Sequence, residues 1–455
     1  MSKRTVDMTQ GKPAKHILRF AVPLILTNVG QQLYMIADGA IVGRGVGVKA
    51  LAAVGATDWC YWLILWSVIG LTQGFSTYVS RAFGEKNYRE LNKAIATSTA
   101  LCLITGVVFT ALGLVAARPV LLLLQTPADV LPDATLYLCI LLAGTGIVIA
   151  YNMAASILRA LGDGRTPLVA MIIAALLNIG LDCLFVLVIG WGIAGAAVAS
   201  LLAQAVSFLY CLVAIRKIDF IRVEKQDWHL ESRSVKGMLL LGMPVALQYM
   251  VICLGGMVLQ SGVNLQGSYF AAGYAATNKL FGLLECFALS LGLAASTFIA
   301  QNYGAGKYGR VKKGVGTTVW IATAMALCVS VIALIFGWQL VSIFIDVKTE
   351  LDLKAMEAGV RYLSIMGPCF IFVYLLDVFR NALQAIGIGF WSMLSGIAEL
   401  IGRLLMAKVF IHILGRDALF LSEPTAWFLA LLCVMLPYFY YRKTRLADMD
   451  RFSEQ

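Results

Sequence analysis

The stretch RKIDFIRVEKQDWHLESRSVK, residues 216–236, interrupts an otherwise apolar chain near its middle. It carries six basic and four acidic side chains. A segment with so many charges cannot cross the hydrocarbon core of a membrane, because each buried charge is costly there. The sequence therefore predicts two apolar halves that are joined by a polar linker.

The two halves resemble each other in sequence. At a constant offset of 220, ten identities fall within the forty-two positions from Ala52 to Lys93. The first-half members of these pairs are Ala52, Ala56, Thr57, Leu63, Leu71, Ser76, Thr77, Gly84, Tyr88 and Lys93. A second match, at an offset of 225, relates residues 158–164 to residues 383–389. Such self-similarity indicates an internally duplicated fold.

The composition is that of a polytopic membrane protein. Of 455 residues, 60% are hydrophobic and 13% charged, with a mean hydropathy of +0.83, whereas soluble domains contain about 25% charged residues. Uncharged runs such as 59–80, 94–117 and 134–158 exceed the ~20 residues with which a helix crosses a bilayer. We predict an all-α integral membrane protein of twelve transmembrane helices in two six-helix repeats. The predicted helices are 17–43, 50–80, 90–117, 133–160, 166–189, 192–215, 237–263, 270–300, 311–337, 353–385, 391–413 and 425–441.

Charge in the connections between helices predicts the orientation. One side of the predicted bundle carries 25 Lys and Arg residues and the opposite side six, and basic residues accumulate on the cytoplasmic side. We expect both termini and the linker to be cytoplasmic. The net charge of +11 then follows from topology, and no nucleic-acid partner is predicted. The predicted divisions are an N-terminal lobe (1–215), the cytoplasmic linker (216–236), a C-terminal lobe (237–441) and a cytoplasmic tail (442–455).

Three motifs carry a resemblance to a known family. They are the first-helix stretch Ala37–Arg44 (ADGAIVGR), the helix end Arg81–Gly84 (RAFG) and the turn Leu158–Pro167 (LRALGDGRTP). With the six-plus-six layout, the chain resembles the multidrug and toxic compound extrusion (MATE) family over about residues 15 to 441. Asp38 and the pattern Asn178–Asp182 resemble the branch named after DNA-damage-inducible protein F.

The resemblance implies a V-shaped bundle of the type found in the MATE and flippase superfamily. It also implies a secondary active antiporter, not an enzyme, that exports organic and mostly cationic compounds by alternating access. Protons or sodium ions are the coupling ions, and no cofactor is expected. We further expect a monomer in the inner (plasma) membrane of a prokaryote. The second half departs from the turn motif, because Ile388 and Gln384 stand where the first half has Asp163 and Arg159.

Two carboxylates, Asp38 and Asp182, are predicted to lie within the membrane in the first half. A charge there costs at least ~2.5 kcal/mol on insertion scales, so such residues usually pair or serve a function. Asn178 lies four residues before Asp182 and therefore shares its helix face. The matching second-half positions, about Leu259 and Ala407, are apolar. We predict that Asp38, Asn178 and Asp182 form the cation-coupling site; a structural hydrogen bond between helices is the alternative.

The family pattern implies that Ser200 adds a hydroxyl group to this coupling site. Two buried carboxylates close together cannot both ionise cheaply, so they suit a shared proton. With Asn178 and Ser200 they equally offer oxygen ligands to sodium. Asp38, Asn178 and Asp182 are thus metal ligands only if the transporter is sodium-coupled. The sequence does not choose between the two ions.

Substrate contacts are predicted in both halves. Glu285 lies near the middle of its helix without an oppositely charged residue at helical spacing, so it is a candidate for attracting a cation. Met257 is a further candidate, since aromatic and thioether surfaces suit flat organic cations, and ordinary packing is the alternative. Asn152 is also predicted to contact substrate. In contrast, the spacings of Asp377 with Arg380 and of Glu399 with Arg403 predict ion pairs within helices.

Two other functions fit part of the sequence. A lipid-linked oligosaccharide flippase of the same superfamily requires a basic cavity for phosphates; Arg403 and Lys408 favour it, whereas Asp38 and Asp182 do not. A membrane-embedded transferase requires a paired acidic motif for magnesium-diphosphate or a histidine suited to acid-base chemistry. Neither is found, and His16, His229 and His412 are too far apart in sequence to share a helix turn.

Overall fold

The computed structural model describes residues 5–46, 48–124 and 126–446, and every regular element within these ranges is helical. The helices of the first half are α1 (Pro13–Gly45), α2 (Val48–Gly84), α3 (Tyr88–Leu123), α4 (Leu131–Ala143), α5 (Thr145–Ala160), α6 (Arg165–Asp182) and α7 (Gly192–Arg216). Those of the second half are α8 (Ser232–Asn264), α9 (Ser268–Gly304), α10 (Tyr308–Ile335), α11 (Gly337–Ser342), α12 (Glu350–Met366), α13 (Phe370–Ala385), α14 (Gly389–Leu404), α15 (Ile411–Leu414) and α16 (Asp417–Lys443). The all-α prediction is confirmed.

Nine helices of the described chain are long and apolar enough to cross a membrane. The pair α4 and α5, bent by 45°, adds a tenth if it is one span. The other two predicted helices are also present, as α2 and as α14 with the segments that follow it. Thr72 and Gln73 are buried in α2, and α14 carries Glu399 and Arg403. The multi-pass membrane class is confirmed, whereas the count of twelve spans is not confirmed in full.

Two π-helical segments occupy matching places in the two halves. One, Cys183–Val188, continues α6, and the other, Leu405–Phe410, continues α14. π-Helical turns are rare and are frequent at functional sites. The first of them begins directly after Asp182, one of the two carboxylates predicted to couple transport.

The chain divides into two compact units. Unit 1 contains Leu26–Ala246 with the described residues before Thr9, and unit 2 contains Thr9–Ile25 with the chain from Leu247 on. These limits fall inside α1 and α8, whereas the lobes predicted from the sequence are divided at the linker. Unit 2 therefore takes the first part of α1, and unit 1 takes the first part of α8.

Small residues allow close helix packing in unit 1. A Cβ atom added at Gly74 on α2 would lie 2.3 Å from the Cα atom of Gly242 on α8. At Gly70 the same addition would meet the backbone of Ala246 at 2.7 Å. Such close approach gives van der Waals contact between helices where lipid offers no hydrophobic driving force.

The turn motif of the first half is explained by local bonds. Asp163 accepts hydrogen bonds from the backbone N–H groups of Arg165 and Thr166, both at 3.0 Å, and from the Thr166 hydroxyl at 2.6 Å. It thereby caps the first turn of α6. Gly162 has a φ of +80°, which favours glycine. In the second half Gly387 keeps this conformation (φ +91°), but Ile388 provides no side-chain cap.

Candidate coupling and substrate sites

Asp38 on α1 and Asp182 at the end of α6 come together within unit 1. Their carboxyl groups are within hydrogen-bonding reach of each other. Asp182 is fully buried and Asp38 half-buried. The Oδ1 atom of each is buried and has no hydrogen-bond partner among the described residues. Because two ionised carboxylates repel each other, this geometry suits a shared proton or a bound cation.

Asn178 connects Asp182 to Ser200. Its amide is best oriented with the nitrogen donating to Asp182 Oδ2 at 3.1 Å. Its oxygen then accepts from the backbone N–H group of Ser200 at 3.3 Å and from the hydroxyl at 3.2 Å. The structure thus brings together all four residues predicted for the coupling site, and Asn178 uses both ends of its amide within the protein.

The predicted coupling site has further neighbours that the sequence did not indicate. Asp58 on α2 lies close enough to Asp38 for an electrostatic interaction. The phenols of Tyr34 and Tyr137 are in the same electrostatic neighbourhood. The available signal was that Asp58 directly precedes the uncharged run 59–80. Tyrosines gave no such signal, because they are enriched at membrane interfaces whatever the function of the protein.

A sodium ion requires several oxygen ligands, and only part of such a set is free at this site. Asp38 and Asp182 provide two unpartnered oxygens, whereas the Asn178 oxygen is occupied by Ser200. In the described part of the chain, no group of three or more His, Cys, Asp or Glu side chains is arranged to hold a metal. A proton needs only the carboxylate pair, while sodium needs further oxygen ligands.

Unit 2 encloses a charged network around Arg380 on α13. This guanidinium is hydrogen-bonded to Glu399 on α14 and donates to the Ser395 hydroxyl at 3.1 Å. Its Nη1 atom lies 3.8 Å from Asp377 Oδ1. The predicted pair of Asp377 with Arg380 is therefore confirmed, but the closer partner of Arg380 is on another helix. Asp377 Oδ2 is buried and has no partner within the described ranges.

Arg403 extends this network. It lies 3.3 Å from Glu399, which confirms the predicted pair within α14. It also pairs at 2.8 Å with Glu423 on α16, a residue that was not singled out from the sequence. All of these side chains are at least largely buried. Charge-assisted hydrogen bonds of this network therefore connect helices α13, α14 and α16.

Glu285 lies in α9 on the edge of the same network. Asp377, Glu423, Glu399 and Arg403 are within its electrostatic range. It is half-buried and forms no ion pair with any residue that the structure describes. Counting Glu285, four carboxylates stand against two guanidiniums, so the interior of unit 2 is acidic.

The other two residues predicted to contact substrate, Asn152 and Met257, lie in different units. Asn152 on α5 donates its amide to the carbonyl of Val148 at 2.9 Å, a bond within its own helix. Met257 on α8 is half-buried. Asn152 belongs to unit 1, whereas Met257 and Glu285 belong to unit 2. Their roles in binding stay predictions.

A duplicated helical bundle with buried carboxylates in each unit defines the class of a multi-pass membrane transporter. The family model described as MatE matches residues 23–184 and again residues 244–408. Since one model matches twice, the internal duplication is confirmed.

Similar proteins and solved structures point to the same family as the family model. The probable multidrug resistance protein YpnP of Bacillus subtilis is 29% identical, over 99% of this chain and 100% of that protein. The probable multidrug resistance protein NorM of Thermotoga maritima is 25% identical, over 82% and 80%. A structure described as MATE in the bent conformation shares the fold, with a TM-score of 0.89, 23% identity and 98% of each chain covered. The chain belongs to the MATE family, whose members are transporters rather than enzymes.

Proposed function

We propose that this protein is a multidrug exporter that exchanges organic cations for protons, with Asp38 and Asp182 as the proton-binding pair. Its relatives' names support multidrug export. The observation that carries the choice of ion is the Asn178 amide, whose oxygen is turned to Ser200 and whose nitrogen is turned to Asp182. In this orientation the Asn178 amide is engaged by protein groups at both ends, which favours the paired carboxylates as a proton site over a sodium site built with the Asn178 oxygen.

The proposed exchange acts through a difference in affinity. Loading of a proton removes the repulsion between Asp38 and Asp182, and the unloaded pair favours an arrangement that separates or solvates them. An ion can shift the access equilibrium only by such differential binding. The π-helical segment after Asp182 is a place where α6 can change its hydrogen-bond register.

The acidic interior of unit 2 supports organic cations as cargo. Glu285 provides a carboxylate without an ion-pair partner in the described chain, next to a network that already has excess negative charge. For the flippase alternative, the cavity must offer free positive charge to phosphates. Arg403 and Arg380 are instead held by carboxylates.

Transport in proteoliposomes tests the proposal. A fluorescent organic cation is followed while a pH gradient is imposed without sodium, and separately while a sodium gradient is imposed at equal pH. We expect the pH gradient alone to drive transport. An exchange of one proton for one monovalent cation moves no net charge, so a potassium diffusion potential should change the rate little. Transport driven by sodium alone would overturn the choice of ion.

A further inference from the structure

We propose that the linker between α7 and α8 is a membrane-surface anchor that binds the headgroups of anionic phospholipids. The surface in question consists of the exposed basic side chains Arg216, Lys217, Arg222, Lys225, Arg233 and Lys236, with the exposed apolar side chains Trp228 and Leu230. We name it the linker surface. It lies wholly within unit 1 and outside the coupling and substrate sites.

The linker backbone is fastened to α3 by two hydrogen bonds from one side chain, that of Asn92. The Asn92 amide donates to the carbonyl of Phe220 at 3.3 Å, and its oxygen accepts from the N–H group of Arg222 at 3.1 Å. Asn92 is buried. Because one side chain satisfies two backbone groups of the linker, this part of the chain is held as a fixed surface.

Two further contacts fix the linker near the ends of the membrane helices. The Phe220 ring packs against Phe83 at 5.8 Å and Tyr88 at 5.0 Å between centroids. Lys93 pairs with Glu231 at 2.6 Å, and this hydrogen bond and charge lower the pKa of Glu231. These contacts lie at the end of α2 and the start of α3, so the linker is held beside the ends of two helices of the membrane bundle.

A capped turn determines what the linker exposes. In the 3₁₀ turn Lys225–Trp228, the N–H group of Glu224 donates to Asp227 Oδ2 at 2.8 Å, and Asp227 is buried. The turn leaves Trp228 47% and Leu230 40% exposed. Tryptophan is enriched at the membrane interface, where its ring is at the headgroup level. Two large apolar side chains held outward in a charged segment therefore suit a lipid interface.

Charge on the linker surface favours anionic lipid. All six basic residues of the linker are exposed. Of its four acidic residues, Asp227 is turned inward and Glu231 is paired with Lys93. Asp219 and Glu224 alone stay exposed without an ion-pair partner in the described ranges. Basic residues beside a membrane contribute attraction to anionic headgroups, and the effect falls off within a Debye length.

Lipid binding to the purified full-length protein in detergent tests the proposal. Native mass spectrometry measures the affinities for phosphatidylglycerol and for phosphatidylcholine of the same acyl chains. The wild type is expected to prefer phosphatidylglycerol. The triple variant Arg222→Gln, Lys225→Gln, Arg233→Gln should lose about 100-fold in that affinity. The reason is that each basic residue near an anionic membrane surface strengthens binding roughly fivefold. Trp228→Ser should lower the affinity for both lipids.

A matched triple variant controls for net charge. Arg118→Gln, Lys348→Gln, Lys354→Gln removes three exposed basic residues elsewhere and should leave the preference unchanged. Equal binding of both lipids by the wild type would overturn the proposal, as would an equal loss in both triple variants. Because linker variants retain the coupling pair, proton-driven transport in phosphatidylcholine liposomes reports separately on the proposed function.

Discussion

Arg403 on α14 and Glu423 on α16 form a two-point ion pair inside unit 2. Arg403 Nε donates to Glu423 Oε1 at 3.1 Å, and its Nη2 donates to Oε2 at 2.8 Å. The same guanidinium donates to the carbonyl of Ile252 on α8 at 3.3 Å. One side chain thus fastens three helices of unit 2, and its removal affects all of them.

Arg403→Met is expected to destabilise the protein strongly, by about 3–5 kcal/mol, because it leaves Glu423 buried without its partner. The measurement is thermal unfolding in detergent at neutral pH. Lys354→Gln is the control, since it breaks the exposed Lys354–Glu350 pair, which should be worth at most about 1 kcal/mol. Similar losses in both variants would contradict an important role for the buried pair.

Asp38→Asn and Asp182→Asn should each abolish gradient-driven transport while the binding of cargo to the purified protein largely survives. The reason is that each change removes a titrating group from the pair without touching the acidic interior of unit 2. Transport and equilibrium binding are measured on the same preparation. Asp129→Asn, in an exposed connection, is the control and should transport normally. Wild-type transport by either well-folded site variant would refute the assignment.

Glu285→Gln should weaken the binding of cationic compounds roughly tenfold and spare neutral ones, since it removes one charge from the interior of unit 2. Binding is measured with a cationic and a neutral compound of similar shape. The matched control is Glu357→Gln, on the exposed side of α12. An equal loss for both compounds would indicate a folding role instead.

The orientation of the linker is tested by cysteine labelling. Ser232 is exposed, and a Ser232→Cys variant should react with a membrane-impermeant maleimide only in inverted vesicles. Cys328 lies on the outer face of the membrane helix α10, and it is first replaced by Ser so that no outward-facing native cysteine contributes to the signal. Labelling of intact cells at position 232 would contradict a cytoplasmic linker and, with it, the expected cytoplasmic termini.

Gly162→Ala should destabilise unit 1 by at least about 1 kcal/mol, because alanine is strained at a positive φ. The added methyl group would also meet the carbonyl oxygen of Val6 at 2.6 Å. Gly316→Ala on α10 is the control, since a Cβ atom there meets nothing within 4 Å. There the change should be neutral or stabilising, as alanine favours helices. Thermal unfolding of the two variants compares them directly.

The sequence by itself determined the membrane class, the duplication and the positions of most helices. Hydropathy and helical spacing are local properties, so they also predicted the Asn178–Asp182 face and the Glu399–Arg403 pair. A charged residue in an apolar run is visible from its neighbours alone. For that reason Asp38, Asp182 and Glu285 were found without any knowledge of packing.

Only the tertiary structure decided which of these groups meet. Asp38 and Asp182 lie 144 positions apart in sequence, and the Arg403–Glu423 pair joins two helices whose contact no spacing rule predicts. Sequence spacing likewise does not predict that Asp58 lies near Asp38, or that Asn92 of α3 is hydrogen-bonded to the linker backbone. Such contacts depend on how helices pack against each other, and close packing arises from the shapes of whole helix faces rather than from the residues next to each group in the chain.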